Sequence, residues 1–100
     1  MNIFMRTPEF DRWLKRLKEL SIKARVLVRI RAAETGNFGD CESVGDGVFE
    51  MRIHAGAGCR IYYFRQGKVV YVLLYGGDKS SQKKDIHAAK AIKKRLEEES

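Results

Sequence analysis

Val48-Phe49-Glu50-Met51-Arg52-Ile53-His54-Ala55-Gly56-Ala57-Gly58-Cys59-Arg60-Ile61-Tyr62-Tyr63-Phe64-Arg65-Gln66-Gly67-Lys68-Val69-Val70-Tyr71-Val72-Leu73-Leu74-Tyr75 is the stretch that decides the fold. β-Branched and aromatic residues recur in it with a period near two, and glycine-bearing breaks separate the runs. This predicts strands at Val48–Ile53, Cys59–Arg65 and residues 68–75. The first two are joined by a loop over 54–58. Gln66-Gly67 reads as a two-residue turn between the second and third.

Strand register carries most of the information. If Ile53 pairs with Cys59, then Met51 faces Ile61 and Phe49 faces Tyr63. The turn at Gln66-Gly67 would pair Arg65 with Lys68, so Tyr62 faces Tyr71 and Ile61 faces Val72. One face then holds Phe49, Met51, Ile61, Tyr63, Val70, Val72 and Leu74, an apolar set that a one-residue slip would scramble. The other face sets Arg52 directly across from Arg60, Glu50 across from Tyr62, and Tyr62 beside Tyr71. Like charges directly opposed are destabilising. A carboxylate such as Glu50, or an anionic ligand, should compensate. Such a face is either a solvated surface with incidental charges or a nucleic-acid surface, where arginine grips phosphate and aromatics stack on bases.

Outward from the meander, helical patterns flank it. Residues 2–6 suit a short strand. Thr7-Pro8-Glu9 is a helix start, with Thr7 as N-cap and proline at the first helical position. Phe10, Trp13, Leu14 and Leu17 follow as one apolar stripe. Ser21 can cap a second helix, with Ile22, Val26, Ile30 and Ala33 on one face and Gly36-Asn37 at its end. Residues 36–47 read as irregular. After the meander, Gly76-Gly77 stops the sheet. Ser80 or Ser81 caps a last helix to about residue 98, with Ile86, Ala89, Ile92 and Leu96 inward. The expected architecture is α+β in a single domain over residues 1–100. It is a helical hairpin packed on a small antiparallel sheet (the N-terminal strand plus the meander), with a C-terminal helix.

Composition narrows the function classes. The hydrophobic fraction of 44% supports a core and argues against wholesale disorder. Lys and Arg number 20 against 13 Asp and Glu, a net charge of +7. That balance points to a polyanionic partner, whether nucleic acid, a membrane surface or an acidic protein. No apolar run approaches ~18 residues, so no membrane span is expected. The first residues show no signal-peptide pattern, and a cytoplasmic location is expected. Cys41 and Cys59 form no metal-ligand spacing, so neither zinc nor any other metal or cofactor is expected, and both should be free thiols.

Three further features lie outside the arginine pair. The segment 76–81 runs from a strand end through glycines to a helix start, where backbone N–H groups and Lys79 could meet an anion. It lacks P-loop spacing and is equally an ordinary strand-to-helix turn. His87, about a hundred degrees around the helix from the core stripe, is either a surface residue or a proton-transfer group. His54 lies in a glycine loop and has less to recommend it.

Thr7 to Leu14, the pair Val48–Ile53 and Gly58 to Tyr63, and Leu73-Leu74-Tyr75-Gly76-Gly77-Asp78-Lys79-Ser80-Ser81-Gln82-Lys83-Lys84-Asp85-Ile86 together resemble the RelE/ParE toxin superfamily. The resemblance is closest to its HigB-like branch, the addiction-module killer proteins. It covers nearly the whole chain and is weakest over 36–47. It implies a RelE-like fold and the toxin of a type II toxin–antitoxin system. Relatives of this kind cut mRNA on the ribosome without a metal, the 2′-hydroxyl attacking the adjacent phosphate. It further implies Arg60 for transition-state charge, Lys79 as a second catalytic cation and His87 as acid or base. Arg52, Tyr62, Tyr71, Gln82 and Lys83 would contact RNA. The implied partners are an antitoxin, of helix-turn-helix type, and the ribosome with its mRNA. Cys59 departs from the more usual tyrosine of the hairpin motif. Two other readings share the pattern: a ParE-like gyrase inhibitor that cuts no RNA, and a plain RNA-binding module.

Overall fold

A computed structural model describes residues 1–100. The order is β1 (Ile3–Arg6), α1 (Pro8–Arg16), α2 (Leu20–Glu34), β2 (Cys41–Gly45), β3 (Val48–Ile53), β4 (Cys59–Arg65), β5 (Val70–Gly77) and α3 (Gln82–Glu99), with a short 3-10 turn at Lys79–Ser81. The strands form one five-stranded sheet in the order β1-β5-β4-β3-β2. The α+β class is as expected. The sheet, however, is mixed rather than antiparallel, because β1 pairs parallel to β5. No helix is long and apolar enough to cross a membrane.

Both faces of the sheet are covered. α1 and α2 lie on one, over a core of Phe10, Trp13, Val26, Ile30, Met51, Ile53, Cys59, Ile61, Tyr63 and Leu73. α3 lies on the other, its Ala89 and Ile92 packing on Val48, Tyr62, Phe64, Val72 and Leu74. Two buried faces explain why β4 is apolar almost throughout instead of alternating. Thr7 caps α1 as anticipated and also ties it to the sheet. Its hydroxyl caps α1 by accepting from Phe10 N at 3.0 Å and donates to Leu74 O at 2.8 Å.

Several local expectations differ from what forms. Residues 36–47 are not all irregular: β2 pairs with β3 through a tight turn in which Asp46 and Gly47 both have positive φ, 55° and 77°. Asp-Gly supplies that mirror-image turn, which matches strand twist. α2 begins at Leu20, and Ser21 does not cap it. Gly76 and Gly77 continue β5 instead of stopping it. Ahead of α3 the capping carboxylate is Asp78, which accepts from Ser80 N at 2.9 Å.

The β3–β4 register is as read, with Ile53 opposite Cys59 and Arg52 opposite Arg60. The β4–β5 register is not. Gln66-Gly67 is not a two-residue turn, and Arg65 pairs with Tyr71 instead of Lys68. That three-residue shift reverses parity. A bulge between Tyr62 and Tyr63 then sets Tyr62 opposite Tyr75. Val72 and Leu74 therefore face α3, while Leu73 joins the core under α1 and α2.

Candidate active site

The opposed arginines require a counter-charge, and Glu50 supplies it. It is 1% exposed and lies between them on the α3 face. Its Oε1 accepts from Arg52 Nε at 3.2 Å, and its Oε2 accepts from Tyr62 Oη at 3.1 Å and Gln82 Nε2 at 2.8 Å. Arg60 Nε stands 3.6 Å from the same Oε2, just outside hydrogen-bond reach. A buried carboxylate is tolerable only with such partners.

The two arginines then diverge. Arg52 is held by three carboxylates: Glu50 beneath it, Asp40 at 3.4 Å, and Glu42, which accepts from Nη2. Arg60 donates through Nη1 to Gly58 O at 2.9 Å, while no protein acceptor engages Nη2. Lys79 stands close by. A Cβ built on Gly58 would lie 3.3 Å from Arg60 Nη1 and 3.4 Å from Lys79 Cβ. Lys79 N donates to Ala57 O at 3.4 Å, tying the last turn to the β3–β4 loop. The Arg60 guanidinium and the stem of the exposed Lys79 thus converge on Gly58 at one end of the sheet, beside the start of α3. Asp78 neighbours them, and its carboxyl is held below the usual range by Ser80 hydrogen bonds and, less strongly, by Arg60.

The remaining candidates scatter. Gln82 belongs to the site through Glu50, and Lys83 is exposed on the first turn of α3. Tyr62 is 0% exposed, and burial, more than the nearby Glu50 charge, pushes its hydroxyl far above its ordinary value. It supports Glu50 and offers no surface to a base. Tyr71 lies on the other face, against Phe4, Phe38 and Tyr63. The parity change in β5 separates the two tyrosines. His87 is exposed on the outer side of α3, in a depression with Asp46, Lys90, Ala91, Lys93, Lys94 and Glu97. Neither Arg60 nor Lys79 lines it. His54 meets Asp40, its Nε2 being 2.9 Å from Oδ2. Cys59 is buried, and desolvation pushes its thiol up to about 11, so it is no nucleophile. No three His, Cys, Asp or Glu side chains gather as a metal-binding group.

Two functional neighbours, Asp40 and Glu42, were not anticipated. The signal for Glu42 was present: Val44-Gly45-Asp46-Gly47-Val48 is a hairpin sequence, and its register places Glu42 across from Glu50.

The family model "Phage derived protein Gp49-like (DUF891)" matches residues 12–97. The chain belongs to the Gp49-like family. That family is associated with the toxins of toxin–antitoxin systems, which makes a cognate antitoxin the partner it suggests. An uncharacterized protein of Haemophilus influenzae (strain Rd) is similar to the chain, 50% identical over 90 residues, which is 90% of this chain and 91% of that relative. The family match over residues 12–97 spans the hairpin bearing Arg52 and Arg60, the Lys79 turn and most of α3.

Proposed function

We propose that this Gp49-like protein is the toxin of a type II toxin–antitoxin pair of the RelE/HigB kind, an endoribonuclease that cuts mRNA on the ribosome without a metal. In the reaction the ribose 2′-oxygen forms a bond to the adjacent phosphorus as the bond from phosphorus to the next 5′-oxygen breaks. The products are a 2′,3′-cyclic phosphate and a 5′-hydroxyl. The 2′-hydroxyl loses a proton and the leaving oxygen gains one.

The observation that carries the reading is the braced Arg60, with Lys79 on the adjoining turn. A phosphorane concentrates negative charge on its equatorial oxygens, and fixed cations in a partly dry site stabilise it more than they stabilise the ground state. The Arg60 side chain is 14% exposed, is braced by Gly58 O and Glu50, and keeps Nη2 free. It can therefore donate without first releasing another anion. Arg52, caged by carboxylates, is suited to holding Glu50 and the β2–β3 edge. The carboxyl groups near Arg60 are poor proton donors, Glu50 being held by Arg52, Tyr62 and Gln82 and Asp78 being kept below its ordinary range chiefly by Ser80, and His87 lines a different depression. This fits an enzyme whose substrate strain and proton exchange depend on the ribosome.

The test is cleavage of a defined mRNA on purified translating ribosomes with a metal chelator that spares the ribosome's magnesium. Cyclic-phosphate ends that appear only when ribosomes are present are expected. Intact mRNA together with inhibition of DNA gyrase would replace this reading with the gyrase-inhibitor one.

A further inference from the structure

The same end of the sheet holds a cleft of about 480 Å³. Trp13 of α1, Leu17 at its C-cap, Ile22 of α2 and Tyr75 of β5 supply its walls, and Glu19, Asp78, Ser81, Lys84 and Asp85 its polar part. Asp85 is unusual. It is 6% exposed in a chain of net charge +7, yet no cation stands within 4.0 Å of it, and Lys84 acts on it only weakly and at longer range. Its one hydrogen bond is from Ser81 Oγ to Oδ2, at 2.5 Å. Buried carboxylates are normally paired. The backbone also makes room for it: a Cβ on Gly77 would lie 1.8 Å from Asp85 Oδ2. Desolvation raises its pKa, as expected for a carboxylate short of partners.

The cleft and the Arg60–Lys79 convergence share a rim. Ala57 and Cys59 line the cleft, and Gly58 between them is the residue against which Arg60 and Lys79 converge. Asp78, also lining it, immediately precedes Lys79. A nucleotide whose phosphate meets Arg60 and Lys79 has its base within reach of this cleft.

We propose that the cleft is a nucleobase subsite that favours guanine, with the Asp85 carboxylate accepting from the base's N1–H and N2–H edge. Guanine presents two adjacent donors, which a carboxylate can accept together. Ser81 uses only one lone pair of Oδ2, which leaves acceptor sites on both oxygens. Apolar and aromatic walls suit a flat ring. The subsite rests on the proposed function in that RNA is the ligand, and it adds a base preference to it.

Equilibrium titration of the purified protein with guanosine, inosine and uridine 5′-monophosphates, followed by nuclear magnetic resonance, tests this without catalysis. Guanosine monophosphate is expected to bind about tenfold more tightly than the uridine nucleotide, as one well-placed pair of donors allows. Inosine monophosphate, lacking the N2 amino group, should fall between them. Asp85→Asn should remove the preference, since an amide places a donor where an acceptor is needed. Ser81→Ala should reduce it while leaving the carboxylate in place, and serves if Asp85→Asn fails to fold. Equal binding of the three nucleotides by the wild type, or a preference retained in Asp85→Asn, overturns the proposal. A guanine preference without mRNA cleavage would leave the subsite standing and remove the nuclease reading. Cleavage without any base preference would do the reverse.

Discussion

The two sides of Glu50 present the same residue type in opposite states. On one side Arg52 faces Asp40, Glu42 and Glu50. On the other, Arg60 has Glu50 at 3.6 Å, Lys79 nearby and a free Nη2. Sequence pairing made them equivalent, two arginines opposed on one face. What separates them is the third strand over: β2 brings Glu42 to Arg52, whereas β5 brings only Gly77 opposite Arg60. Whether an arginine is a working cation is thus decided by its neighbours' neighbours.

Glu50→Ala removes the buried partner of both arginines and of Tyr62 and Gln82. It is expected to cost about 3–5 kcal/mol of stability in denaturant unfolding. A loss under about 1 kcal/mol would mean that Glu50 does not hold the face together. Arg60→Ala should slow cleavage by about 10²–10³-fold, the scale for one transition-state donor, with little change in unfolding midpoint. Arg52→Ala should slow it by less than about tenfold, because its charge is already satisfied. Releasing Arg52 by Asp40→Asn with Glu42→Gln should tighten binding of a short RNA by a few-fold at low salt, an effect that salt removes. Unchanged affinity would show that the cage is not what silences Arg52.

Two smaller effects lie away from the pair. Asp85 has a folded pKa raised chiefly by desolvation. Its contribution therefore favours the fold below its unfolded pKa and is lost as pH rises through the folded value. Asp85→Asn should raise the melting temperature near neutral pH relative to wild type, and the difference should shrink in acid. His87→Ala, on the outer side of α3, should change cleavage by less than about twofold, the scale of an ordinary surface substitution.

Much of this was legible from the sequence. The Thr7-Pro8 start, the inward stripe of α3, and the β3–β4 register that places Arg52 across from Arg60 all follow from local chemistry with one solution. The cost of opposing like charges called for a carboxylate such as Glu50 or an anionic ligand, and Glu50 lies between the two arginines. What failed was longer in range. Both faces of the sheet are buried, so β4 and β5 carry no alternation from which to choose a register. The shift in the 66–69 turn and the bulge at Tyr62/Tyr63 then moved Tyr71 and Leu73 to the face opposite Tyr62. Helical spacing already put His87 outside the core stripe, where it is exposed; only its catalytic role rested on family resemblance, and it lines a depression away from Arg60. β2 was missed although Asp46-Gly47 announced it, and with it the cage on Arg52.

In the proposed reaction Arg60, not Arg52, stabilises the charge of RNA cleavage. Mapping mRNA ends in growing cells after induction of wild type, Arg52→Ala and Arg60→Ala, each at matched protein level, tests it most directly. New ends within translated regions are expected with wild type and Arg52→Ala and are expected to vanish with Arg60→Ala. Ends that persist at wild-type frequency in Arg60→Ala would contradict it.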